Sequence, residues 1–540
     1  MSLIDMNGWH TASAIYYSDV NKAIAASATV PESFTETSGS VSVTANFGSW
    51  ELTTGGSGPL IDMNLGITGG TETISNDDPY TIAACTATIQ IKAVYIPQPD
   101  NDTTYDLTND STTAVSVVNL TTCNDDIVVQ STFQTLLQSW LNDNLDKFYT
   151  VFATVDLDAV YDTEGLSWLK PSFKGYAVAE PAVGATLENS VFAVMCLIDN
   201  ATNSTGLTYQ VDTSIIPSTT DISAGFVIAQ SKFLQHMMML AVPQMFKGIT
   251  NDDPTDHFTI NNGGTRIMNT TELTAQDVTL DNGKTVTPSV DAKKFTLQLD
   301  GTELEIAITD MTMTVSAGIT LHLNYSGRAT IFYDTDNDIL DLAVTTESGN
   351  GSIEVSQGLS TLNAVLEWTG VALSLLGAFG GAVSKTASAA VTSATEAAMD
   401  AGEAVGQEAA AADQVTVSTC KGIISGTAES VSKTAARFMV MAKVALVGAF
   451  VTELSPAITG TIDAVANSDY DSMPKISDLT SSAVGKTIIW PSTAGTFTLA
   501  SAQLNGPLQF GLKSSSSDES DGNGTTSTSV RATRKRRGKK

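Results

Sequence analysis

An alternation of apolar and polar residues runs through Phe295–Tyr333 and constrains the fold more than any other feature of this chain. Apolar residues occupy every second position in four successive runs, and Asp or Gly residues stand at several of the junctions. The runs are Phe295, Leu297 and Leu299; Leu304, Ile306 and Ile308; Met311, Met313 and Val315; and Ile319, Leu321 and Leu323. Because successive side chains of a strand point to opposite faces, the pattern predicts an antiparallel meander with one buried face.

Further strands are predicted on both sides of this meander, in stretches rich in β-branched and aromatic residues. They cover Ser40–Leu52, Thr86–Ile96, Phe148–Leu157, Phe173–Ala179, Val191–Ile198, Thr487–Trp490 and Thr496–Leu504. Helical spacing predicts an amphipathic helix over Asp126–Leu145 and a second one near Gln230–Phe246, which Pro243 kinks or ends. Residues 1–25 are predicted to hold a short helix with Asn7 as its cap. Strands and helices are segregated along the chain, which favours the α+β class.

Composition limits the partners of this chain. Its formal net charge is −31, so it repels nucleic acid and anionic membranes at long range. The tail is the exception, because its last ten residues hold seven Lys or Arg. A chain of 540 residues predicts two structural units. We assign an N-terminal half to 1–250, a C-terminal half to 251–512, and a disordered tail to 513–540.

The cysteines and the N-terminus bear on the compartment. Cys85, Cys123, Cys196 and Cys420 are far apart in the sequence, and Cys85 and Cys196 stand inside apolar strand patterns. We interpret them as small buried side chains and not as a disulfide framework. The N-terminus has neither the basic nor the apolar region of a secretory signal peptide. We expect cytoplasmic synthesis, with any release following a route that needs no signal peptide.

Motifs for catalysis and metal binding are weak. The four histidines, His10, His236, His257 and His322, stand apart, and the chain has no nucleophile elbow, phosphate loop or paired-carboxylate motif. Residues 334–338 (DTDND) imitate the first half of a calcium loop, but Ile339 stands where that loop needs glycine. A hairpin turn is the better interpretation. We therefore expect no enzymatic activity, no metal and no cofactor.

An abrupt change in composition marks residues 357–454, which are rich in Ala, Val, Gly and Ser and predict two or three helices. Two apolar segments, Trp368–Ser384 and Phe438–Thr452, lie within this region. The first has 17 uncharged residues, whereas a membrane-spanning helix needs about 20 apolar residues. Buried core helices are favoured, and no constitutive span is expected. A helical hairpin that inserts into a membrane on activation stays an alternative.

The two amphipathic helices supply candidates for an apolar groove. A curved sheet with one apolar face needs a cover, and an incompletely filled gap beneath a helix can take an acyl chain. The candidates are Phe133, Leu137, Trp140 and Leu141 on the first helix and Phe233, Leu234, Met237 and Met238 on the second. Taken alone, such stripes are more typical of ordinary core helices than of a ligand lining, so they do not carry the lipid interpretation by themselves.

Aromatic and glycine motifs recur along the chain in a distinctive order. They are NGW at Asn7–Trp9, W-x-L-x-x-G-G at Trp50–Gly56, WLKPSF at Trp168–Phe173, GYA at Gly175–Ala177 and IIWP at Ile488–Pro491. In this order the chain resembles the tubular lipid-binding (TULIP-fold) proteins of the OrfX-type botulinum neurotoxin gene clusters. The resemblance covers about 7–512 and is weakest between 385 and 435.

The resemblance implies an elongated fold in which strongly curved antiparallel sheets wrap long helices. It also implies lipid binding, with phosphoinositides as one reported preference, and a role as a toxin accessory in complexes with other cluster proteins. We therefore predict a non-enzymatic lipid-binding protein that holds an acyl chain or phospholipid between its helices and sheet. Two alternatives are a complex-forming module with a filled tube and a pore-type effector that uses the segments 368–384 and 438–452.

Overall fold

The computed structural model describes residues 3–356, 414–424 and 475–515, apart from short gaps at 76–77, 160–163, 203–204, 240–241, 250–252, 262, 276, 280–284, 317–318 and 492–495. The apolar segments Trp368–Ser384 and Phe438–Thr452, most of the Ala-rich region and residues 516–540 of the tail lie outside the described residues. The expectations for those segments stay predictions.

The described residues form 27 strands, numbered in chain order. The first thirteen are β1 (Thr11–Tyr16), β2 (Ser33–Ser38), β3 (Val41–Leu52), β4 (Ile61–Ile74), β5 (Tyr80–Ile82), β6 (Cys85–Ile91), β7 (Ala93–Gln98), β8 (Asn101–Asn109), β9 (Ser116–Leu120), β10 (Val151–Asp156), β11 (Phe173–Ala179), β12 (Val191–Leu197) and β13 (Ala224–Ile228). The others are β14 (Phe258–Ile260), β15 (Arg266–Asn269), β16 (Leu273–Thr274), β17 (Val278–Thr279), β18 (Thr285–Val286), β19 (Ser289–Val290), β20 (Phe295–Asp300), β21 (Glu303–Ser316), β22 (Ile319–Asp334), β23 (Ile339–Ser356), β24 (Gln414–Ile424), β25 (Ile488–Ile489), β26 (Thr496–Leu504) and β27 (Leu508–Ser515).

Helices are fewer and mostly short. The described α-helices are α1 (Tyr17–Ser27), α2 (Ile127–Asn144), α3 (Gln230–Phe233), α4 (Pro254–His257) and α5 (Ile476–Ser482). π-helical turns extend α3 over Leu234–Met238 and α5 over Ala483–Thr487, and 3-10 turns cover Leu145–Lys147, Glu164–Leu169, Thr213–Ile215 and Val242–Met245. With 18 residues, α2 is the longest helix in the part of the chain that the structure describes. The fold is therefore β-rich with a helical component, while long helices wrapped by the sheets stay a prediction.

Four antiparallel sheets contain most of the strands. The central sheet has the order β11-β12-β1-β13-β27-β26, and the N-terminal sheet has the order β2-β3-β4-β6-β9 with β5 beside β4. The small sheet has the order β25-β10-β8-β7. The meander sheet has the order β14-β15-β20-β21-β22-β23-β24, with β16 and β19 at its side, and β17 pairs with β18.

The central sheet joins the two ends of the described chain. β27 pairs with β13, so that Phe510 stands opposite Phe226. Its middle strands are apolar on both faces, because Phe192 and Val194 of β12 pack into the large core, whereas Met195 packs into a smaller core on the other side. Four strands of this sheet come from the predicted N-terminal half and two from residues after 495, so the sheet combines strands from both sides of residue 250. The assigned domain bounds stay a prediction.

The helix expected over residues 1–25 is wrong in its first part. β1 pairs with β12 on one side and with β13 on the other, and α1 begins only at Tyr17. Asn7 caps no helix, because it lies ten residues upstream in a turn with φ +50°. Ala12 and Ala14 of β1 pack into the smaller core, whereas Ile15 packs into the large core. Because both faces are buried, the strand lacks the alternation that reveals a half-buried strand in a sequence.

The strand expected over Thr86–Ile96 is two strands. β6 ends at Ile91 and belongs to the N-terminal sheet, whereas β7 begins at Ala93 and belongs to the small sheet. Residues of one parity are buried along β6, but Ala93 and Tyr95 are only partly buried. The chain changes sheets at Lys92 without losing its alternating pattern, so periodicity alone could not locate the break.

The meander has the predicted buried face but one strand fewer than the four runs indicate. The second and third runs both belong to β21, whose pairing with β22 shifts register between Ile308 and Met311. Asp310, with φ +57°, lies at this bulge and not in a turn. An extra residue in a strand exchanges the two faces, and this explains why the apolar positions change from even to odd numbers within one strand.

Candidate lipid-binding site

The first predicted groove, beneath α2, is filled by aromatic rings. Phe133, Leu137 and Leu141 are fully buried, and Trp140 is 7% exposed. Trp140 contacts Phe34 and Phe47 of the N-terminal sheet at ring-centroid distances of 5.4 Å each, and Phe148 at 6.3 Å. These four candidates form core between helix and sheet in the structure.

A ladder of amide side chains ties α2 to the edge of the N-terminal sheet. Gln130, Gln134, Gln138 and Asn142 recur every four residues and therefore lie on one side of the helix. Gln138 Oε1 accepts a hydrogen bond from the Val117 N–H at 2.9 Å, and Gln134 Nε2 donates to the Val117 carbonyl at 3.0 Å. The helix thus satisfies the backbone of edge strand β9, which would otherwise be open to pairing with another chain. The four-residue spacing is visible in the sequence, although it was not among the predicted features.

A matched pair of substitutions distinguishes the amide of this ladder that accepts a hydrogen bond, Gln138, from the amide that donates one, Gln134. We expect Gln138→Glu to be nearly neutral, because a carboxylate still accepts from the Val117 N–H. Gln134→Glu removes the amide N–H that donates to the Val117 carbonyl and should lower the free energy of unfolding by about 1–2 kcal/mol. Urea denaturation at neutral pH measures both. Equal losses in the two variants would mean that the ladder bonds do not act as described.

The second set of candidates lies in α3 and the π-helical turn that follows it. Phe233, Leu234, Met237 and Met238 are all fully buried, so they are packed core in the structure. Gln235 of the same turn is exposed, whereas Met239 is buried. The helical segment is confirmed near the predicted place, and Pro243 lies in the 3-10 turn that follows it.

A cavity of about 500 Å³ opens on this segment, and none of the four candidates lines it. Its apolar wall consists of Met239, Pro254, Phe258 and Ile260. Its polar lining consists of Gln235, Asp253, Thr255, Thr259 and Thr270. The cavity is thus bounded by the π-helical turn, by α4 and by β14. None of its lining residues was singled out from the sequence, because they come from segments that are neighbours only in the folded chain.

A charged cluster stands beside the cavity. The Asp199 carboxylate lies 2.6 Å from Lys232 Nζ and 2.9 Å from His236 Nε2, and Lys232 Nζ also donates to Gln235 Oε1 at 3.3 Å. Although burial raises it, hydrogen bonds from His236 and Lys232 lower the pKa of Asp199 to about 2. The His236 ring stacks on Trp168 with centroids 4.5 Å apart. His236 is thus a partly buried member of this charged cluster, and its partners Asp199 and Lys232 were not predicted from the sequence.

Two other histidines are also held in place. His10 Nδ1 accepts a hydrogen bond from the Ile198 N–H at 3.1 Å, and burial lowers the pKa of His10 to about 4. His322 lies 2.6 Å from Asp310 at the bulge of β21. Both histidines therefore have a structural explanation.

A second cavity, of about 230 Å³, lies at the IIWP motif. Its lining residues are Ser27, Tyr149, Val151, Thr154, Ile489, Trp490 and Pro491. Tyr149 and Ile489 are exposed, so this cavity is a shallow surface feature of the small sheet. With less than half the volume of the first cavity, it is too small for a long chain, and we give it no role.

The tryptophans of the distinctive motifs join separate elements of the fold. In three of them the indole N–H donates a hydrogen bond to a residue far away in the sequence. The pairs are Trp9 with the Thr208 carbonyl (2.9 Å), Trp50 with the Thr150 hydroxyl (3.1 Å) and Trp490 with the Ser13 hydroxyl (3.3 Å). The tryptophans of these motifs therefore connect elements that are distant in the sequence. The motif residues do not line the larger cavity.

The acidic turn at 334–338 is a hairpin, as predicted, and has a further structural role. It links β22 to β23, and Asp338 accepts hydrogen bonds from the Ser477 N–H at 3.2 Å and the Ser477 hydroxyl at 2.6 Å. The turn thus holds the start of α5. Among the described residues, no three His, Cys, Asp or Glu side chains are grouped so that they could hold a metal ion.

Two cysteines that are distant in the sequence meet in the fold. Cys85 and Cys123 are both buried free thiols, and burial followed by contact with Cys123 raises the pKa of Cys85 to about 12. Cys196 is a free thiol in the large core, as its strand pattern predicted.

Of the helices that the structure describes, none has the length and apolar character to cross a membrane.

Comparisons with known proteins place the fold and the family. Two solved structures of P47 share the fold: P47 from Clostridium botulinum E1 matches with a TM-score of 0.54 at 12% identity, over 93% of this chain and 98% of P47. P47 from C. botulinum A2 matches with a TM-score of 0.50 at 16% identity, over 69% of this chain and 88% of P47. The class is thus that of β-rich proteins with the P47 fold.

The sequence comparisons identify the family. Protein OrfX3 of C. botulinum (strain Kyoto / Type A2) is 25% identical over 421 residues, which are 66% of this chain and 82% of OrfX3. The family model described as OrfX-like, Protein OrfX2/OrfX3/P47, matches residues 6–399. The chain therefore belongs to the OrfX-like family, as its motifs indicated.

Proposed function

We propose that this chain is a non-enzymatic lipid-binding protein and an accessory of a toxin-type gene cluster. In this proposal one acyl chain occupies the 500 Å³ cavity beside α3. The observation that carries the proposal is the apolar wall of Met239, Pro254, Phe258 and Ile260, which shares the cavity with five polar residues. Small-molecule sites have this mixture of lining and volumes of about 300–1,000 Å³.

The proposal places the lipid on a different face of the second helix from the one that the apolar stripe suggested. Phe233, Leu234, Met237 and Met238 are packed behind the turn and hold it in position. Met239 reaches the cavity from the same segment, and its flexible thioether suits a chain of variable shape. The tubular plan of the resembling proteins stays part of the proposal for the chain as a whole.

A second candidate function is a complex-forming module for other proteins of the cluster. The filled gap beneath α2 favours it, because the rings of Trp140, Phe34 and Phe47 occupy the first predicted groove. The start of α2 also exposes two aliphatic side chains, with Ile127 82% and Val128 62% accessible. The two functions can coexist, because these surfaces belong to different elements.

Native mass spectrometry with lipid extraction tests the proposal. We expect a stoichiometric lipid on the purified protein, or uptake of one lipid from mixed liposomes that include a phosphoinositide. A Met239→Trp variant, which fills the cavity, should lose at least about nine-tenths of the bound lipid. An Ile489→Trp variant at the smaller cavity is the matched control and should bind normally. A protein that stays free of lipid after incubation would contradict lipid carriage and leave the complex-forming function.

A further inference from the structure

We infer that the cavity beside α3 selects a lipid whose head group donates hydrogen bonds and carries no negative charge. The inference rests on the proposed function, because it concerns the head of the ligand whose chain fills the cavity. It excludes free fatty acids and phosphoinositides from this cavity and favours hydroxyl or ammonium heads. The charge of Asp253 and the hydrogen bonds of the threonine hydroxyls in the lining both point to this selection.

Asp253 gives the lining of the cavity a fixed negative charge. Asp253 precedes α4, and its Oδ1 accepts hydrogen bonds from the Thr255 N–H at 2.9 Å and the Thr255 hydroxyl at 2.7 Å. These two hydrogen bonds lower the pKa of Asp253, so the carboxylate is ionised at neutral pH. A bound carboxylate or phosphate would lie next to a like charge.

The threonines of the lining also present acceptors. Thr255 donates its hydroxyl proton to Asp253, and Thr270 donates to the Asp256 carbonyl at 3.4 Å. Thr259 donates to the Ile260 carbonyl at 3.5 Å. A hydroxyl whose proton is engaged in a hydrogen bond offers a ligand only the lone pairs of its oxygen. These three hydroxyls favour a ligand head that supplies donors. Gln235 is the amide of the lining, and its Nε2 can donate because its Oε1 accepts from Lys232 Nζ. The exclusion of anionic heads therefore rests on the charge of Asp253.

Among the described residues of the lining, no cation offsets Asp253. The nine side chains that line the cavity there include neither Lys nor Arg. The basic side chains beside it, Lys232 and His236, both lie against the Asp199 carboxylate, at 2.6 Å and 2.9 Å. The formal net charge of −31 acts in the same direction over longer distances.

Three amphiphiles of equal chain length test the inference: dodecanol, dodecylamine and dodecanoate. Each is titrated against the full chain at about pH 7.5, below its micelle concentration or, for dodecanol, below its solubility limit, with displacement of an apolar fluorescent probe as the readout. We expect dodecanol and dodecylamine to bind at least about tenfold more tightly than dodecanoate. Two variants of residues at α4 locate the effect. Asp253→Lys should reverse the order, whereas Asp256→Lys makes the same charge change outside the lining and should preserve it.

The outcomes separate the two claims. If none of the three amphiphiles binds, the proposed function fails together with the inference. Equal binding of all three, or tightest binding of dodecanoate, overturns the inference and leaves acyl-chain binding intact. If both lysine variants change the order equally, the selection comes from the net charge and not from Asp253, which also overturns the inference. Thermal unfolding of each variant confirms that it is folded before it is titrated.

Discussion

A Gly175→Ala variant is expected to lose about 3 kcal/mol of the free energy of unfolding, at the upper end of the usual cost of overpacking. Gly175 lies on β11 directly against the indole of Trp9, which is 1% exposed. A Cβ atom at this position would stand 2.4 Å from Trp9 Cη2 and 2.9 Å from Tyr209 Cε1. The rings cannot move easily, because Trp9 also donates to the Thr208 carbonyl and stacks on Phe173. Guanidinium denaturation followed by circular dichroism measures the loss.

Two further variants show whether the close approach is the cause. Gly485→Ala is the matched control, because a Cβ there would meet none of the described atoms within 4 Å, and its cost should be near zero. In a Trp9→Leu background the cost of Gly175→Ala should fall by at least about half, since the larger of the two obstructing rings is gone. An unchanged cost in that background would show that the alanine acts through something other than the indole.

The second large effect is a pH dependence that originates at Glu72. This carboxyl on β4 is 0% exposed, and neither of its oxygens has a hydrogen-bond partner among the described residues. Burial, assisted by the charge of Asp126, raises the pKa of Glu72 to about 7 from an ordinary value of 4.5. In the folded protein Glu72 therefore keeps its proton between these two pH values, where the unfolded chain releases it.

The consequence is a stability that is full below about pH 4.5 and falls as the pH rises towards 7. Above that range the folded state has to hold an unpaired buried charge, at a cost on the order of 3 kcal/mol. Glu72→Gln removes the charge, so we expect this variant to be more stable than the parent protein at about pH 8 by up to that amount. At pH 4.5 the two proteins should be nearly equal. Urea denaturation across this pH range follows the difference.

Glu51→Gln on the neighbouring strand β3 is the control for Glu72→Gln. Its carboxylate is exposed, so its removal should change stability little at any pH. A Glu72→Gln variant with the same pH profile as the parent protein would show that Glu72 is not the titrating group.

Several parts of the fold could be predicted because the signal is local. The 18-residue α2 carries its apolar stripe in consecutive turns, and the meander strands carry their alternation in consecutive residues. The hairpin at 334–338 is encoded by its own turn residues. In each case the residues that set the structure lie within a few positions of one another, so periodicity and turn chemistry suffice.

The wrong predictions have a common cause. β1 is buried on both faces, β6 and β7 share one alternating pattern across two sheets, and β21 contains a bulge. Which face of a strand becomes buried depends on packing partners elsewhere in the chain. The residues next to the strand in the sequence do not reveal these partners. The same holds for the candidate site: the apolar stripe correctly marked Met237 and Met238 as inward-facing, but it could not distinguish packed core from cavity wall.

Motif order and residue periodicity, both written along the chain, were enough for the family, the β-rich class, the helix over 127–144 and the apolar side of the segment after Gln230. They could not show that the space beneath α2 is filled or that a cavity opens beside Met239. Those two features exist only in the folded chain. A cavity is the space left unfilled after segments that are distant in the sequence have packed together. The residues that these segments bring to its surface determine its lining and its charge.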